Sequence, residues 1–336
     1  METTAQNEKI IFSAMKPSGT LHIGNLIGAA KNWLTMQEDY FCYYAVADLH
    51  SITENIAPAN LRDQTLDMFA MFIALGIDPH KSVLFVQSHV PQHAELAWVL
   101  NCYTQFGEAR RMTQFKDKSL KNPDNINVGL FDYPVLMSAD ILLYNAHYVP
   151  IGKDQQQHLE LARTIADRFN NRYSPTFNMP EGIYPKLGAK VYSLSDPHKK
   201  MGKSENDPQG VILLKDDAET VRRKLRRAVT DSETEIRYNP KTKPGVSNLL
   251  TIYASLLGID TKRAEAHFSG KSYADLKSEV AEVVINALKP IQETFNRVRG
   301  NKAELALALQ TGAQKASAAA RKMLSKVYRK VGFVQP

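Results

Sequence analysis

The sequence predicts an α/β fold, a doubly wound parallel sheet followed by a second, all-helical domain. Three observations carry that expectation. Short apolar, β-branched or aromatic runs alternate with longer amphipathic ones through the first half of the chain, the strand-helix-strand rhythm of a parallel sheet. Beyond about Ser204 the strand-like runs stop and helical periodicity takes over. The chain has 336 residues, 43% of them hydrophobic, enough for one large core and a smaller one.

Each element has its own signal. Residues 9–14 and 41–46 are dense in Ile, Phe, Tyr and Val and read as strands, as does 82–87. Residues 25–37, 60–75 and 92–104 read as helices, the second closed by Gly76. Residues 190–194 are strand-like. In the second part, 218–229, 247–257, 273–298 and 302–328 read as helices, with turns near Pro244-Gly245 and Ser269-Gly270. Residues 238–244, rich in Lys and Pro, read as an exposed connector. Ligands of such parallel sheets sit at the carboxyl ends of the strands.

Composition narrows the class. The formal net charge is +7, which suits contact with a polyanion but also a basic enzyme without one. Cys42 and Cys102 form no Cys-x-x-Cys, so neither a zinc ribbon nor a disulfide framework is expected. The first six residues lack the layout of a signal peptide, and the longest apolar run, 68–77, is too short to span a bilayer. A soluble, cytoplasmic protein with no membrane partner is expected.

Two stretches suit phosphate chemistry. Pro17-Ser18-Gly19-Thr20-Leu21-His22-Ile23-Gly24-Asn25 follows the first strand and opens the first helix. Its glycines allow close approach of backbone to a ligand, and the helix start offers free N–H groups to an anion. The bland alternative is a plain strand-to-helix turn. The second stretch is Lys199-Lys200-Met201-Gly202-Lys203-Ser204-Glu205-Asn206. Lysines three apart around a glycine suit a loop over phosphates, although no Walker glycine precedes them. A solvated lysine loop is the alternative.

Together these stretches resemble the H-I-G-H and K-M-S-K-S motifs of class I aminoacyl-tRNA synthetases, in the right order. Asn25 replaces the last histidine of the first motif, and Gly202 the first serine of the second. Further segments resemble the bacterial-type tryptophanyl-tRNA synthetase family: Asp48-Leu49-His50, Arg111 to Lys116, Tyr133 to Tyr144, Gly152-Lys153-Asp154-Gln155, Ala228 to Ser232 and Gly245 to Leu250. The resemblance runs from about Ile10 to Phe333.

The resemblance implies a Rossmann-type catalytic domain (1–198), a mobile phosphate-binding loop (199–206), a helical anticodon-binding domain (207–298) and a C-terminal helix (299–336) that packs back on the first domain. It implies ATP and Mg²⁺, L-tryptophan, tRNA(Trp), a homodimer, and no resident metal site. A pairing of Asp154 with His158 around a metal lacks a third ligand nearby. His22, Lys118, Lys200 and Lys203 would stabilise charge during catalysis. Lys16, Pro17, Ser18, Gly24, Asn25, Gly152, Lys153, Asp154, Val191, Met201, Gly202 and Ser204 would join Lys200 and Lys203 in holding ATP. Lys16 stands where bacterial relatives often carry glutamine. Asp140 would accept the indole N–H of tryptophan, Tyr133 and Gln155 would hold its ammonium group, and His50 would lie close by. Phe12, Ala14, Met137 and Val149 would form the pocket walls, a role that ordinary core packing could equally explain. Arg222, Arg223, Arg226 and Arg227 sit in the densest basic run and would meet tRNA. A solvated helix face is the alternative there. Tyrosyl-tRNA synthetase is the nearest rival, and a non-catalytic sensor of tryptophan or RNA is a rival of another kind.

Overall fold

The computed structural model describes residues 9–121, 123–184, 190–202 and 207–334. Five parallel strands form one sheet: β1 (Ile10–Met15), β2 (Phe41–Val46), β3 (Val83–Val86), β4 (Tyr148–Pro150) and β5 (Glu181–Ile183), in the order β3-β2-β1-β4-β5. The order reverses between β1 and β4, the crevice where open α/β sheets take ligands. There β1 and β4 share the single registered pair Ile11↔Tyr148.

In β1 to β3, side chains alternate between two cores, as strand geometry requires. Ile11, Cys42, Tyr44, Val46, Leu84 and Val86 face one core. Phe12, Tyr43, Ala45, Val83 and Phe85 face the other. The first core takes α1 (Ile23–Asn25), a π-helical turn (Leu26–Ala30), α2 (Lys31–Asp39) and α3 (Pro58–Ala74). Helices α4 (Gln92–Asn101), α5 (Phe106–Arg110), α6 (Thr113–Lys121), α7 (Val128–Leu143) and α8 (Gln156–Arg172) follow, and α4, α7 and α8 supply the largest helical share of the second core.

The later part holds α9 (Ala218–Arg226), α10 (Pro244–Leu257), α11 (Thr261–His267), α12 (Tyr273–Gly300) and α13 (Lys302–Val331). Helix α12 packs on α3, α9 and α10. Helix α13 returns to the sheet, where Ala316, Ala320, Leu324 and Val327 join the second core. At Gly312 a Cβ would lie 1.8 Å from the Leu84 carbonyl oxygen, so only glycine lets α13 sit on β3. The helix thereby covers the edge strand, which would otherwise offer unpaired backbone to another chain.

Several sequence expectations need correction. Residues 190–194 form no strand; Tyr192 makes one isolated bridge to Lys200, because no neighbouring strand lies alongside for a longer ladder. Pro244-Gly245 is not a turn but the first turn of α10, where a proline loses no helical bond. In the exposed connector Lys243 is buried, its Nζ donating to Asp231 and Tyr273 and ion-paired with Glu233. In the basic run Lys224 turns inward and donates to the Val211 carbonyl and to Asp216, 2.7 Å each.

Candidate active site

A cavity of about 360 Å³ opens at the β1–β4 crevice. All eight residues assigned to the amino acid line it: Phe12 and Ala14 from β1, His50 after β2, Tyr133, Met137 and Asp140 from α7, Val149 from β4, and Gln155. Sequence separations of up to 143 positions thus collapse onto one pocket because β1, β4 and α7 meet there. A larger cavity of about 640 Å³ lies between 234–236 and 262–272 and carries none of the assigned residues.

Asp140 is the chemical centre of the pocket. It is 1% exposed, on an otherwise apolar helix face. Its Oδ1 accepts from Gln87 Nε2 at 2.7 Å and from His93 Nδ1 at 2.6 Å; its Oδ2 accepts from His50 Nε2 at 2.8 Å. Burial alone pushes its pKa up, but His50 and His93 overcome that and hold the carboxyl far below the usual range. An ionised carboxylate has about four lone-pair sites, so three donors leave room for one more. His93 is itself fixed by Tyr144, whose hydroxyl lies 2.8 Å from Nε2. Gln87 and His93 escaped the sequence reading, because nothing near either residue in the chain marks it. Only the fold brings them to Asp140.

The opposite wall is cationic and aromatic. Lys118 Nζ lies 4.7 Å from the Tyr133 ring centroid. Burial, then the charge of Lys16, lowers the Lys118 pKa. Lys16 itself pairs with Glu54 at 2.5 Å, so the cation that replaces the usual glutamine is locally balanced. The Tyr133 hydroxyl donates to Gln114 and lies 2.8 Å from His158 Nε2. His158 is pushed down to about 4 by burial and by Lys118. It is therefore neutral in the folded protein at neutral pH.

That shift sets a pH dependence. The unfolded chain, with an ordinary imidazole near 6.5, binds the proton before the folded one does. The stability contribution is complete above about pH 6.5, falls as pH drops toward 4, and levels off below. His158→Gln should lose that slope, a difference on the order of 3 kcal/mol across the window. Denaturant titrations of both proteins at several pH values test it, and parallel pH profiles would rule it out.

The nucleotide assignments gather around α1. His22 is its N-cap: Nδ1 accepts from the Gly24 N–H at 3.1 Å, and Asn25 Oδ1 accepts from the His22 N–H at 3.0 Å. A neutral His22 therefore carries its proton on Nε2. Asn25 replaces the family's histidine and closes this capping box. Ser18 N–H donates to the Lys16 carbonyl, and Gly19 takes φ +68°, turning the chain between Pro17 and the helix. Gly24 approaches Val191, whose Cβ would lie 3.5 Å from a Cβ built at position 24. Val191 accepts from the Met201 N–H at 3.0 Å. The two phosphate stretches are thus neighbours. Lys200 is exposed and Gly202 half-buried, whereas Lys203 and Ser204 lie outside the described residues. Gly152 lines the amino-acid cavity, while Lys153 and Asp154 are exposed in a 3₁₀ turn at its rim. Asp154 accepts from Gln155 Nε2 at 2.6 Å.

The basic run on α9 divides. Arg222 pairs with Glu282, and Arg223 donates to Thr220. Arg226 and Arg227 are exposed.

Residues 4–289 match the family described as tRNA synthetases class I (W and Y). A tryptophan–tRNA ligase of Clostridium perfringens is 51% identical over 97% of this chain and 98% of its own length. The tryptophanyl-tRNA synthetase of Mycoplasma pneumoniae superposes with a TM-score of 0.86 at 37% identity, covering 97% of this chain and 98% of that one. The Campylobacter jejuni tryptophanyl-tRNA synthetase complexed with ADP and tryptophan superposes with a TM-score of 0.85 at 34% identity, covering 96% and 100%. With the family matched over most of its length, this chain belongs to the class I tRNA synthetases of the tryptophan and tyrosine type.

Proposed function

We propose that this protein activates L-tryptophan with ATP and transfers it to the terminal adenosine of tRNA(Trp). The observation that carries the reading is Asp140, a buried carboxylate that lines the cavity beside the phosphate-binding helix start and, with three donors, keeps acceptor capacity for one more. An indole N–H fills that position; phenylalanine has no side-chain donor to do so. The full-length likeness to a tryptophan–tRNA ligase supports the same substrate.

The tryptophan carboxylate attacks the α-phosphate of ATP, and pyrophosphate leaves. No covalent enzyme intermediate is required, so the protein contributes in-line positioning and stabilisation of charge. His22 Nε2–H, the α1 N-terminus, Lys118 and Lys200 supply the positive potential, and the motif assigns Lys203 and Ser204 to the same phosphates. Gln155 and Tyr133 hold the ammonium end, and Gly152, Lys153 and Asp154 the ribose side. Among the described residues no three His, Cys, Asp or Glu side chains gather as a metal site. Bound with the triphosphate, Mg²⁺ would offset phosphate charge.

A homodimer would have exposed apolar side chains to bury on α7 and on the two helices packed against it: Trp98 on α4, Phe106 on α5 and Val128 on α7 are 70%, 69% and 80% exposed. Among the described residues no helix is long and apolar enough to cross a membrane, and a translation enzyme works in the cytoplasm. Arg226 and Arg227 are the best candidates in the basic run for tRNA phosphates.

Amino-acid-dependent exchange of labelled pyrophosphate into ATP tests the activity: tryptophan should support it, tyrosine and phenylalanine should not. Exchange with tyrosine alone, or none at all, would overturn the reading. Neutralising Arg226 and Arg227 should leave exchange intact and flatten the salt dependence of tRNA binding by roughly 1.5 to 2 units of slope. An unchanged slope would return those arginines to the solvated surface.

A further inference from the structure

The segment that carries Lys200 is held by something other than the sheet. Tyr192 and Lys200 form an antiparallel bridge. The bonds lie on the flanking residues: Ser193 N–H donates to the Lys199 carbonyl at 2.9 Å, and Met201 N–H to the Val191 carbonyl at 3.0 Å. In such a pair the central residue's own N–H and C=O point away from its partner. Both groups of Tyr192 are met by one side chain. Asn248 Oδ1 accepts from the Tyr192 N–H, and Asn248 Nδ2 donates to the Tyr192 carbonyl, 2.9 Å each.

Asn248 is 4% exposed and sits near the start of α10. The same helix start grips the other end of the segment. A Cβ at Gly245 would lie 2.0 Å from the Val229 carbonyl oxygen, and Val229 N–H donates to the Leu194 carbonyl at 2.8 Å. The helical part of the chain thus fixes residues 191–194 at both ends.

We propose that Asn248 is a positioning residue for the phosphate-binding lysine Lys200, an inference that rests on the activity proposed above. Its amide serves as the missing neighbouring strand. It occupies both backbone groups of Tyr192 and so sets the register in which Lys199–Met201 lie against Val191–Ser193. Without it the partly buried N–H and C=O of Tyr192 lose their partner. A bridge with only two bonds of its own then shifts, and Lys200 leaves the place where phosphate charge develops. Asn248 touches neither substrate, so tryptophan binding is untouched.

The test uses the full-length enzyme with Asn248→Asp, which keeps the acceptor toward the Tyr192 N–H and loses the donor, and with Asn248→Ala. Rates are normalised to tryptophan-binding sites, so a partly folded preparation still reports. Exchange kcat should fall at least about tenfold and the ATP KM should rise about threefold, with the tryptophan Kd within about twofold of wild type. Ser247→Ala is the control: Ser247 accepts from the Asn239 N–H in the same helical turn, and its loss should lower Tm without changing either parameter. Asn248 variants that melt early yet keep wild-type kcat and ATP KM would reduce Asn248 to a structural role and overturn the proposal. A wild type without tryptophan-dependent exchange would overturn the activity and this proposal together; an active wild type matched by Asn248→Asp overturns this proposal alone.

Discussion

Lys200→Ala should slow formation of tryptophanyl-adenylate by at least about a hundredfold while leaving tryptophan affinity nearly unchanged. The Lys200 side chain is exposed, so its removal creates no core cavity. The backbone of this stretch is held by main-chain bonds and by Asn248, none of which involves the Lys200 side chain. The tryptophan pocket lies at the β1–β4 crevice and does not include position 200. What disappears is a cation able to meet phosphate oxygens as charge shifts toward pyrophosphate. A hundredfold corresponds to about 2.7 kcal/mol of transition-state stabilisation, the size seen when one preorganised donor is lost. Single-turnover adenylate formation, with tryptophan binding followed separately, decides the matter. A rate within about threefold of wild type would remove Lys200 from the chemistry and shift the burden to Lys118 and Lys203.

How much of this was legible in the sequence depended on the length of each signal. Strands β1, β2 and β3 were readable because parallel strands buried on both faces read as continuous apolar runs. Strands β4 and β5 are three residues each, too short to show a period against flanking loops. Helix α3 was readable to within two residues at either end, its close marked by Gly76, which follows it at φ +99°. The pocket residues were legible through the family resemblance, and the cavity at the β1–β4 crevice joins all eight of them. The supporting contacts were not. Gln87, His93 and Asn248 each act through a partner 47 to 56 positions away, and no local pattern encodes that. Lys224 and Lys243 misled for the opposite reason. Lysine in a basic or proline-rich run reads as surface, yet each is buried against carboxylates that only the fold supplies.

Asp140→Asn should lower kcat/KM for tryptophan by about ten- to a hundredfold and narrow the advantage of tryptophan over phenylalanine. Asparagine keeps the shape of the side chain but loses its charge, and it turns one acceptor atom into a donor. In the folded protein both oxygens of Asp140 already accept, one from Gln87 and His93 and the other from His50. Turned toward Gln87 and His93 the new NH₂ faces the Gln87 donor; turned toward His50 it requires the imidazole to give up its Nε2 proton; and either way the acceptor left for an indole N–H is neutral. A hydrogen bond to a charged acceptor contributes roughly 1.5–3 kcal/mol, about ten- to a hundredfold in binding. The loss should also show as a gain elsewhere. A carboxylate that phenylalanine cannot satisfy penalises that ligand, and removing the charge removes part of the penalty. Phenylalanine-dependent exchange should therefore rise while tryptophan-dependent exchange falls. The KM for ATP should move less than about threefold, because Asp140 faces the amino-acid cavity and not α1. Disturbing three buried donors will cost stability, so a thermal melt must show the variant folded at assay temperature. If a folded variant keeps its tryptophan preference within about threefold, only about 0.7 kcal/mol, Asp140 does not choose the substrate. The pocket's discrimination would then lie in the shape set by Phe12, Met137 and Val149.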